Sequence, residues 1–303
     1  MIQMANVTGT YKTYDQVGKK EDIEDIIYDI SPTDTPFMSS IGASTANATL
    51  HQWQEDSLAA VGTNAAVEGA DAGTSSVDTT TIKTANTQIF TKVVQVSGTA
   101  EAVGKYGRSS ELAYQIAKKG KEMKRDIEHA FVGAKQAGTA GNGSTARQLT
   151  SYHAQIAAAT TNDNSGTDRT FTEALLLDNL QAVYEEGGNP NQLQVTPSHS
   201  VIVAEFAAAS GRRRDFGEGR RLVNAVDIYV SPFGEVSVVA NRFLDANSAL
   251  VVDTEYWSRA VLRPMQTIVL SKTGDSDKRQ MLTELTLVCE NSKASGLIDD
   301  LTA

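Results

Sequence analysis

The sequence predicts an α+β fold, in which helices and strands occupy separate stretches of the chain. A long amphipathic helix is predicted near the middle, over about 109–137, and short alternating strands recur across 190–292. Within residues 46–100, two strand-like runs flank a stretch of small residues, which is typical of a projecting β-hairpin. Together these patterns describe a mixed helix-and-sheet body with extensions.

Composition limits the classes of function. The chain has 303 residues, 40% of them apolar and 21% charged, which excludes a collagen, a disulfide scaffold and a wholly disordered protein. The 27 basic and 37 acidic residues give a net charge of −10, so nucleic-acid binding over the whole surface is not expected. No run reaches the ~18 apolar residues of a membrane span, and the start lacks the pattern of a signal peptide. We therefore expect synthesis in the cytosol and no membrane partner.

Residues 1–45 are expected to form an N-terminal arm. A short amphipathic helix is predicted over 21–30, where isoleucines alternate with acidic side chains. Two prolines in 31–36 end it, because proline removes an N–H donor. Phe37 follows without an apolar partner in the same segment. The arm must therefore dock on another surface, and Phe37 is a predicted contact with a neighbouring chain.

Residues 46–100 are expected to form an extended loop. The run 49–54, which contains Trp53, alternates as a strand does, and 88–97 is its predicted partner strand. The stretch 61–76 is too poor in large apolar residues to fold alone. Two strands around this tip would make a long β-hairpin, and Trp53 is a second predicted contact between chains.

The helix predicted over about 109–137 is the strongest pattern in the sequence. Ser109 or Ser110 can cap its start, and a glycine-rich run ends it. At 1.5 Å per residue it would span ~40 Å, which is long for a globular helix. Its apolar residues recur at steps of three or four, or their sums: Leu112, Ile116, Met123, Ile127, Phe131 and Ala134.

The rest of the chain alternates shorter elements. A second helix is predicted to begin at the capping box Thr170-Phe-Thr-Glu173 and to end at Gly187-Gly188. A third helix is expected over 198–209. Strands are predicted at 193–196, 225–231, 235–240, 249–253, 266–270 and 280–290.

No catalytic motif is present in the sequence. There is no Gly-x-Ser-x-Gly elbow, no His-Glu-x-x-His pair and no phosphate-binding loop. The single cysteine, Cys289, lies in a strand-like run and is interpreted as a small buried residue. Acidic clusters such as Asp299-Asp300 are typical of a solvated surface. We therefore predict no catalytic residue, no cofactor and no metal.

A concentrated basic cluster lies at 211–221. Three interpretations stay open for it: a solvated loop, a contact in which guanidinium groups pair with carboxylates of a neighbouring subunit, and a nucleic-acid contact. Only Phe216 is available to stack on a base, which weakens the third. The arginines of the cluster are Arg212, Arg213, Arg214, Arg220 and Arg221.

Three stretches resemble the major capsid proteins of tailed bacteriophages. They are Asp34-Thr-Pro-Phe-Met38, the run VDIYVSPFGEVSVVANRF over 226–243, and Trp257-x-x-Ala-x-Leu-Arg-Pro264. The resemblance covers most of the chain in order. It implies the Hong Kong 97 capsid fold, with a long spine helix and with peripheral and axial domains.

On this resemblance the chain divides into four parts. The arm is 1–45, the extended loop 46–100, the peripheral domain 101–189 with 264–303, and the axial domain 190–263. The resemblance implies a major capsid protein that assembles in the host cytoplasm, through pentamers and hexamers, into the icosahedral or prolate head shell of a virion. The arginine cluster would then face a neighbouring subunit around a fivefold or sixfold axis.

The resemblance also implies binding partners for the chain, and two alternative functions stay open. The implied partners are copies of the same chain, a portal, scaffolding or decoration proteins, and enclosed double-stranded DNA without sequence-specific binding. One alternative is a cellular compartment shell of the same fold, which would enclose an enzyme. The other is an enzyme with an unrecognised site, for which the sequence offers no candidate residues.

Overall fold

The fold is described from a computed structural model, which covers residues 33–59, 61–69, 71, 73, 79–209 and 228–302. The helix predicted over 21–30 and the basic cluster at 211–221 lie outside these residues. The helices are α1 (Pro36–Ser40), α2 (Gly98–Ala102), α3 (Glu111–Val132), α4 (Tyr152–Gln155), α5 (Glu173–Glu185) and α6 (Pro197–Ala209).

The described strands build two larger sheets and two small ones. They are β1 (Gly42–Thr45), β2 (Leu50–Glu55), β3 (Thr81–Asn86), β4 (Gln88–Ser97), β5 (Ala137–Thr139), β6 (Gln148–Thr150), β7 (Thr161–Asn162), β8 (Gln192–Val195), β9 (Ile228–Ser231), β10 (Gly234–Ala240), β11 (Ala249–Val252), β12 (Trp257–Val269), β13 (Ser276–Cys289) and β14 (Gly296–Ile298).

The first sheet has four strands in the order β1-β12-β13-β4. Its centre is a long antiparallel ribbon of β12 and β13, which runs from Trp257 opposite Cys289 to Val269 opposite Arg279. The short strand β1 lies parallel to the start of β12. The sequence predicts only the second parts of β12 and β13, because their first parts do not alternate clearly.

The helix α3, which we call the spine helix, packs across β4 and β13. Its start is capped twice: the Ser110 hydroxyl accepts from the N–H of Ala113, and the Glu101 carboxylate accepts from the N–H groups of Glu111 and Leu112. Its 22 residues span ~33 Å, which is shorter than predicted.

The spine helix ends at Gly133 because the next element approaches closely there. A Cβ at Gly133 would collide with the carbonyl oxygen of Phe243 and with the ring of His129. Beyond this point the chain forms β5, so the predicted continuation of the helix to residue 137 is wrong.

The second sheet has six strands in the order β7-β14-β11-β8-β10-β9. The predicted hairpin is confirmed, with Ser231 of β9 opposite Gly234 of β10. The helix α5 packs Leu176 and Leu180 into the core of this sheet. Its cap is Thr172 rather than the predicted Thr170, since the Thr172 hydroxyl accepts from the N–H of Leu175.

The projecting hairpin differs from the prediction in its second strand. β2 pairs antiparallel with β3, from Leu50 opposite Asn86 to Glu55 opposite Thr81. β4, the predicted partner of β2, instead pairs with β13. The reason is burial: Phe90, Val94 and Val96 of β4 all lie in the protein interior.

A cluster of aromatic rings joins the arm to both sheets. Phe37 lies edge-on to Tyr152 and Trp257, with 5.8 Å between ring centroids in each case, and Tyr152 stacks on Trp257 at 4.5 Å. The Tyr152 hydroxyl lies within hydrogen-bond distance of the carbonyl oxygens of Val251 and Gly296 in the six-stranded sheet. Since Phe37 is fully buried in its own chain, the predicted contact with a neighbouring chain is corrected here.

A buried carboxylate holds the arm above this cluster. Glu128, on the spine helix, accepts hydrogen bonds at 2.8 Å from the backbone N–H groups of Phe37 and Met38 and from the amide of Asn241. Burial raises the pKa of Glu128, although these three hydrogen bonds oppose the shift. Asn241 also donates to Gln194, so one side chain connects the arm, the spine helix and the six-stranded sheet.

We expect Glu128→Ala to lower the free energy of unfolding by about 3 kcal/mol, because three buried donors lose their acceptor at roughly 1 kcal/mol each. Glu128→Gln keeps one acceptor oxygen and should lose less. Urea unfolding measures both variants. Equal stability of wild type and Glu128→Ala would show that water replaces the carboxylate at no cost.

Candidate functional site

The root of the β2–β3 hairpin is fixed by a second buried carboxylate. Glu284, in β13, accepts a hydrogen bond from the Thr87 hydroxyl at 2.8 Å. Arg263 pairs with its other oxygen at 2.7 Å, and Arg147 pairs with the first oxygen. Arg147 also donates to the backbone carbonyl of Thr87. Because Thr87 separates β3 from β4, this cluster sets the direction in which the hairpin leaves the body.

One face of the hairpin turns back towards its own chain. Trp53 is partly buried against Ala260 and Val288, and its indole N–H has no hydrogen-bond partner among the described residues. Glu55 accepts from the backbone N–H and the hydroxyl of Ser292, at 2.8 and 2.7 Å. Partial burial raises the pKa of Glu55, but the Ser292 hydrogen bonds and the pair with Lys83 together outweigh it, and the net shift is downward.

Beyond this anchored part, the hairpin exposes apolar side chains. Ile82 is 64% exposed on β3, and Leu58 and Val61, in the connection between the strands, are fully exposed. No described residue of the same chain covers them. Exposed apolar side chains on a projecting segment are typical of a surface that another molecule covers.

A strand edge forms a second uncovered surface in the described part of the chain. There, β4 is an edge strand of the four-stranded sheet, and β1 pairs with β12 only as far as Val261. Exposed strand edges invite pairing with another chain. The exposed apolar residues on β4 and β12 are Ile89, Val93, Met265, Ile268 and Val269.

A comparison with known families decides what this geometry belongs to. The family described as SU10 major capsid protein matches residues 6–302, nearly the whole chain. The chain belongs to this family. The major capsid protein of Escherichia phage Phieco32 is similar, with 30% identity over 97% of each chain. The molecule is therefore a phage major capsid protein, and its location is the capsid of the virion.

Solved structures agree on the fold of the capsid protein. The capsid of cyanophage A-1(L) superposes with a TM-score of 0.69 at 14% identity, covering 96% of this chain and 99% of the other. Gordonia phage Cozz gives 0.62 at 12% identity over 100% and 99%. These likenesses confirm the predicted Hong Kong 97 type of fold.

An encapsulin shares the same fold. The holo-SrpI encapsulin complex from Synechococcus elongatus PCC 7942 gives a TM-score of 0.59 at 9% identity, over 94% of this chain and 92% of the other. At such identities a likeness shows the fold alone. The family match, rather than the fold, therefore decides between a phage capsid and a cellular compartment shell.

The residues of the capsid protein that were predicted to contact a neighbouring subunit fall into three groups. Phe37 is in the core of its own chain. Trp53 is partly covered by its own chain, and its contact with a neighbouring subunit stays a prediction. The five arginines between 212 and 221 lie outside the described residues, and their contact also stays a prediction.

The sequence analysis missed the two buried carboxylates, Glu128 and Glu284. A usable signal existed for Glu128, because it stands beside Ile127 in the apolar pattern of the spine helix. Glu284 interrupts the apolar residues of β13 in the same way. A charged residue within an apolar periodic pattern indicates a fixed hydrogen-bonding partner.

The single cysteine of the capsid protein is buried in its own chain. Burial raises the pKa of Cys289 to about 12, so the thiol stays protonated at neutral pH, and its sulfur donates to the Asn291 carbonyl at 3.2 Å. The described residues contain no group of three His, Cys, Asp or Glu side chains placed to hold a metal. None of the described helices is both long and apolar enough to span a membrane.

We expect Glu284→Gln to lower the free energy of unfolding by about 2 kcal/mol, because two arginines lose their charged partner at a buried site. Hydrogen exchange should rise more in β3 than in β11, since the hairpin root loses its anchor. The matched control is Glu122→Gln, which breaks a partly exposed pair with Lys119 and should change stability by less than about 0.5 kcal/mol. Uniform loss of protection would contradict the anchoring role.

Proposed function

We propose that the capsid protein assembles through pentamers and hexamers into an icosahedral or prolate head shell that encloses double-stranded DNA, and that the β2–β3 hairpin is a principal contact between subunits. This proposal rests on one observation: Leu58 and Val61 are fully exposed on a hairpin whose root is held by buried hydrogen bonds. A rigidly anchored segment with an uncovered apolar end fits a neighbouring subunit.

The uncovered strand edges support the same proposal. A shell presents each contact many times, so individually weak contacts add up to a stable particle. Edges that would invite uncontrolled pairing in a monomer are covered by neighbours in a closed shell. Ile89 and Val93 on β4 are exposed and available for such contacts.

We propose the four-part division of the chain as the functional division as well: arm 1–45, extended loop 46–100, peripheral domain 101–189 with 264–303, and axial domain 190–263. Two separate apolar cores support a two-domain body, one under the spine helix and one in the six-stranded sheet. That sheet also includes β7 and β14, which lie outside 190–263, so the two domains share strands.

We further propose that the role is structural, without enzymatic activity. Besides other copies of the chain, the proposed partners are a portal protein, scaffolding or decoration proteins, and DNA that is held without sequence-specific contacts. The net charge of −10 supports weak and non-specific DNA contact. The burial of Cys289, which also raises the pKa of its thiol, supports the absence of a cysteine nucleophile.

The test is electron microscopy of the purified full chain, preceded by size-exclusion chromatography with light scattering. We expect closed shells, tubes, or isolated pentamers and hexamers. The double variant Leu58→Ser/Val61→Ser should reduce assembled material by roughly tenfold or more while the unfolding midpoint stays unchanged, because both side chains are fully exposed in the subunit.

The matched control is Leu58→Met/Val61→Ile, which keeps the apolar surface and should assemble normally. A chain that stays monomeric both alone and when expressed with its neighbouring genes would overturn the shell proposal. Normal shells from the serine variant would overturn the role of the hairpin.

The basic cluster has its own prediction. We expect Arg213→Glu and Arg214→Glu to impair assembly while the isolated subunit stays folded, because each reversal turns a guanidinium–carboxylate pair into a repulsion. Sedimentation measures assembly, and far-ultraviolet circular dichroism checks the fold. Normal particles from both variants would refute the contact.

A further inference from the structure

The loop between β5 and β6 contains the run Asn142-Gly143-Ser144, the one place in the chain where glycine follows asparagine. All three residues are exposed to solvent. Because glycine has no side chain, its backbone nitrogen can approach the side chain of the preceding residue with little hindrance. The pair is therefore placed for a reaction between neighbouring groups of the same chain.

The fold holds the side chain of Asn142 by its carbonyl oxygen. This oxygen, Oδ1, accepts from the backbone N–H of Ser144 at 2.9 Å, from the Ser144 hydroxyl at 3.0 Å and from the backbone N–H of Thr145 at 2.8 Å. Donors aimed at a carbonyl oxygen stabilise the negative charge that develops there when a nucleophile attacks the carbon. The loop thus presents Asn142 Cγ as an activated electrophile.

The adjacent backbone nitrogen is a suitable nucleophile. Among the described residues, the N–H of Gly143 donates to no acceptor, so no hydrogen bond has to break before it reacts. The N–H of Asn142, in contrast, donates to the carbonyl oxygen of Thr145 at 3.0 Å and keeps the loop closed. Two reacting groups that are already neighbours need no encounter in solution.

We propose that Asn142 is a self-modification site, at which the backbone nitrogen of Gly143 attacks Asn142 Cγ. The new N–Cγ bond closes a cyclic imide, the Cγ–Nδ2 bond breaks, and ammonia leaves with the proton from the Gly143 nitrogen. Water then opens the imide. Cleavage of the bond to Cγ gives aspartate, whereas cleavage at the backbone carbonyl gives isoaspartate, in which the main chain runs through the side-chain carbonyl.

The modified position lies next to the anchor of the β2–β3 hairpin. The two ends of the loop approach closely, since a Cβ at Gly141 would lie 2.9 Å from the backbone nitrogen of Arg147. Arg147 pairs with Glu284 and donates to the backbone carbonyl of Thr87. Isoaspartate adds a backbone atom to this tight loop and displaces Arg147, so the hairpin root loosens as the protein ages.

The test follows each asparagine by peptide mass spectrometry while dilute, unassembled, full-length protein is stored in neutral buffer. Conversion at Asn142 raises the peptide mass by ~1 Da and should give both aspartate and isoaspartate. Gly143→Ala should slow conversion roughly tenfold, because the added side chain hinders the attacking nitrogen. The variant should fold normally, since a Cβ at Gly143 would meet no atom within 4 Å. Ser144→Ala removes one donor to Oδ1 and should slow conversion about threefold.

The matched internal control is Asn64, which is also exposed but is followed by Ala65. It should convert roughly tenfold more slowly than Asn142 in the same samples. Backbone hydrogen exchange in β3 should be about twofold faster in stored wild type than in Gly143→Ala stored for the same time.

Four results would count against these expectations. Conversion at Asn142 no faster than at Asn64 would overturn the site. Aspartate without isoaspartate would show that water attacks directly and that Gly143 takes no part. Faster conversion in Ser144→Ala would show that the three hydrogen bonds protect the amide. Equal exchange in β3 of the two stored samples would overturn the loosening of the hairpin root. All readouts use unassembled subunits and do not depend on the proposed shell function.

Discussion

The structure depends on a buried carboxyl group whose partners, among the described residues, are N–H groups rather than a cation. Glu128 receives two backbone N–H groups of the arm and the amide of Asn241. Removing a carboxylate from water is costly, so such a group persists only where its hydrogen bonds are complete. The position of the arm, the packing of Phe37 among the aromatic rings and the hydrogen-bonded link from the spine helix to the six-stranded sheet all involve this one site.

The hairpin combines a hydrogen-bonded root with an exposed apolar end. At the root, Glu284 accepts from Thr87 and pairs with two arginines, whereas apolar side chains at the far end, such as Val61, are exposed to solvent. A monomeric protein would gain stability by folding that end onto its own surface. Under the proposed role of the hairpin, keeping this end extended would let the contact form between copies and repeat across the particle.

The sequence was sufficient for the elements whose pattern is local. The spine helix, the β9–β10 hairpin and the strand β11 follow from periodicity and turn chemistry. Pairing was not predictable in the same way: β4 alternates as a hairpin strand would, yet it joins β13 because Phe90 needs the interior under the spine helix. The roles of Phe37 and Glu128 also depend on partners about 90 residues away, and no local pattern encodes such partners.

The chain has two tryptophans, and the fold places them in contrasting surroundings. Trp257 is fully buried, and its indole donates to Ser295 at 2.9 Å. Trp53 is partly exposed on the hairpin, with an indole N–H that is unpaired within the described residues. Intrinsic fluorescence therefore contains one component from the interior and a second from the anchored part of the hairpin, where Trp53 packs on Ala260 and Val288. The protein thus carries its own optical probe, and no attached label is needed to follow the hairpin in time.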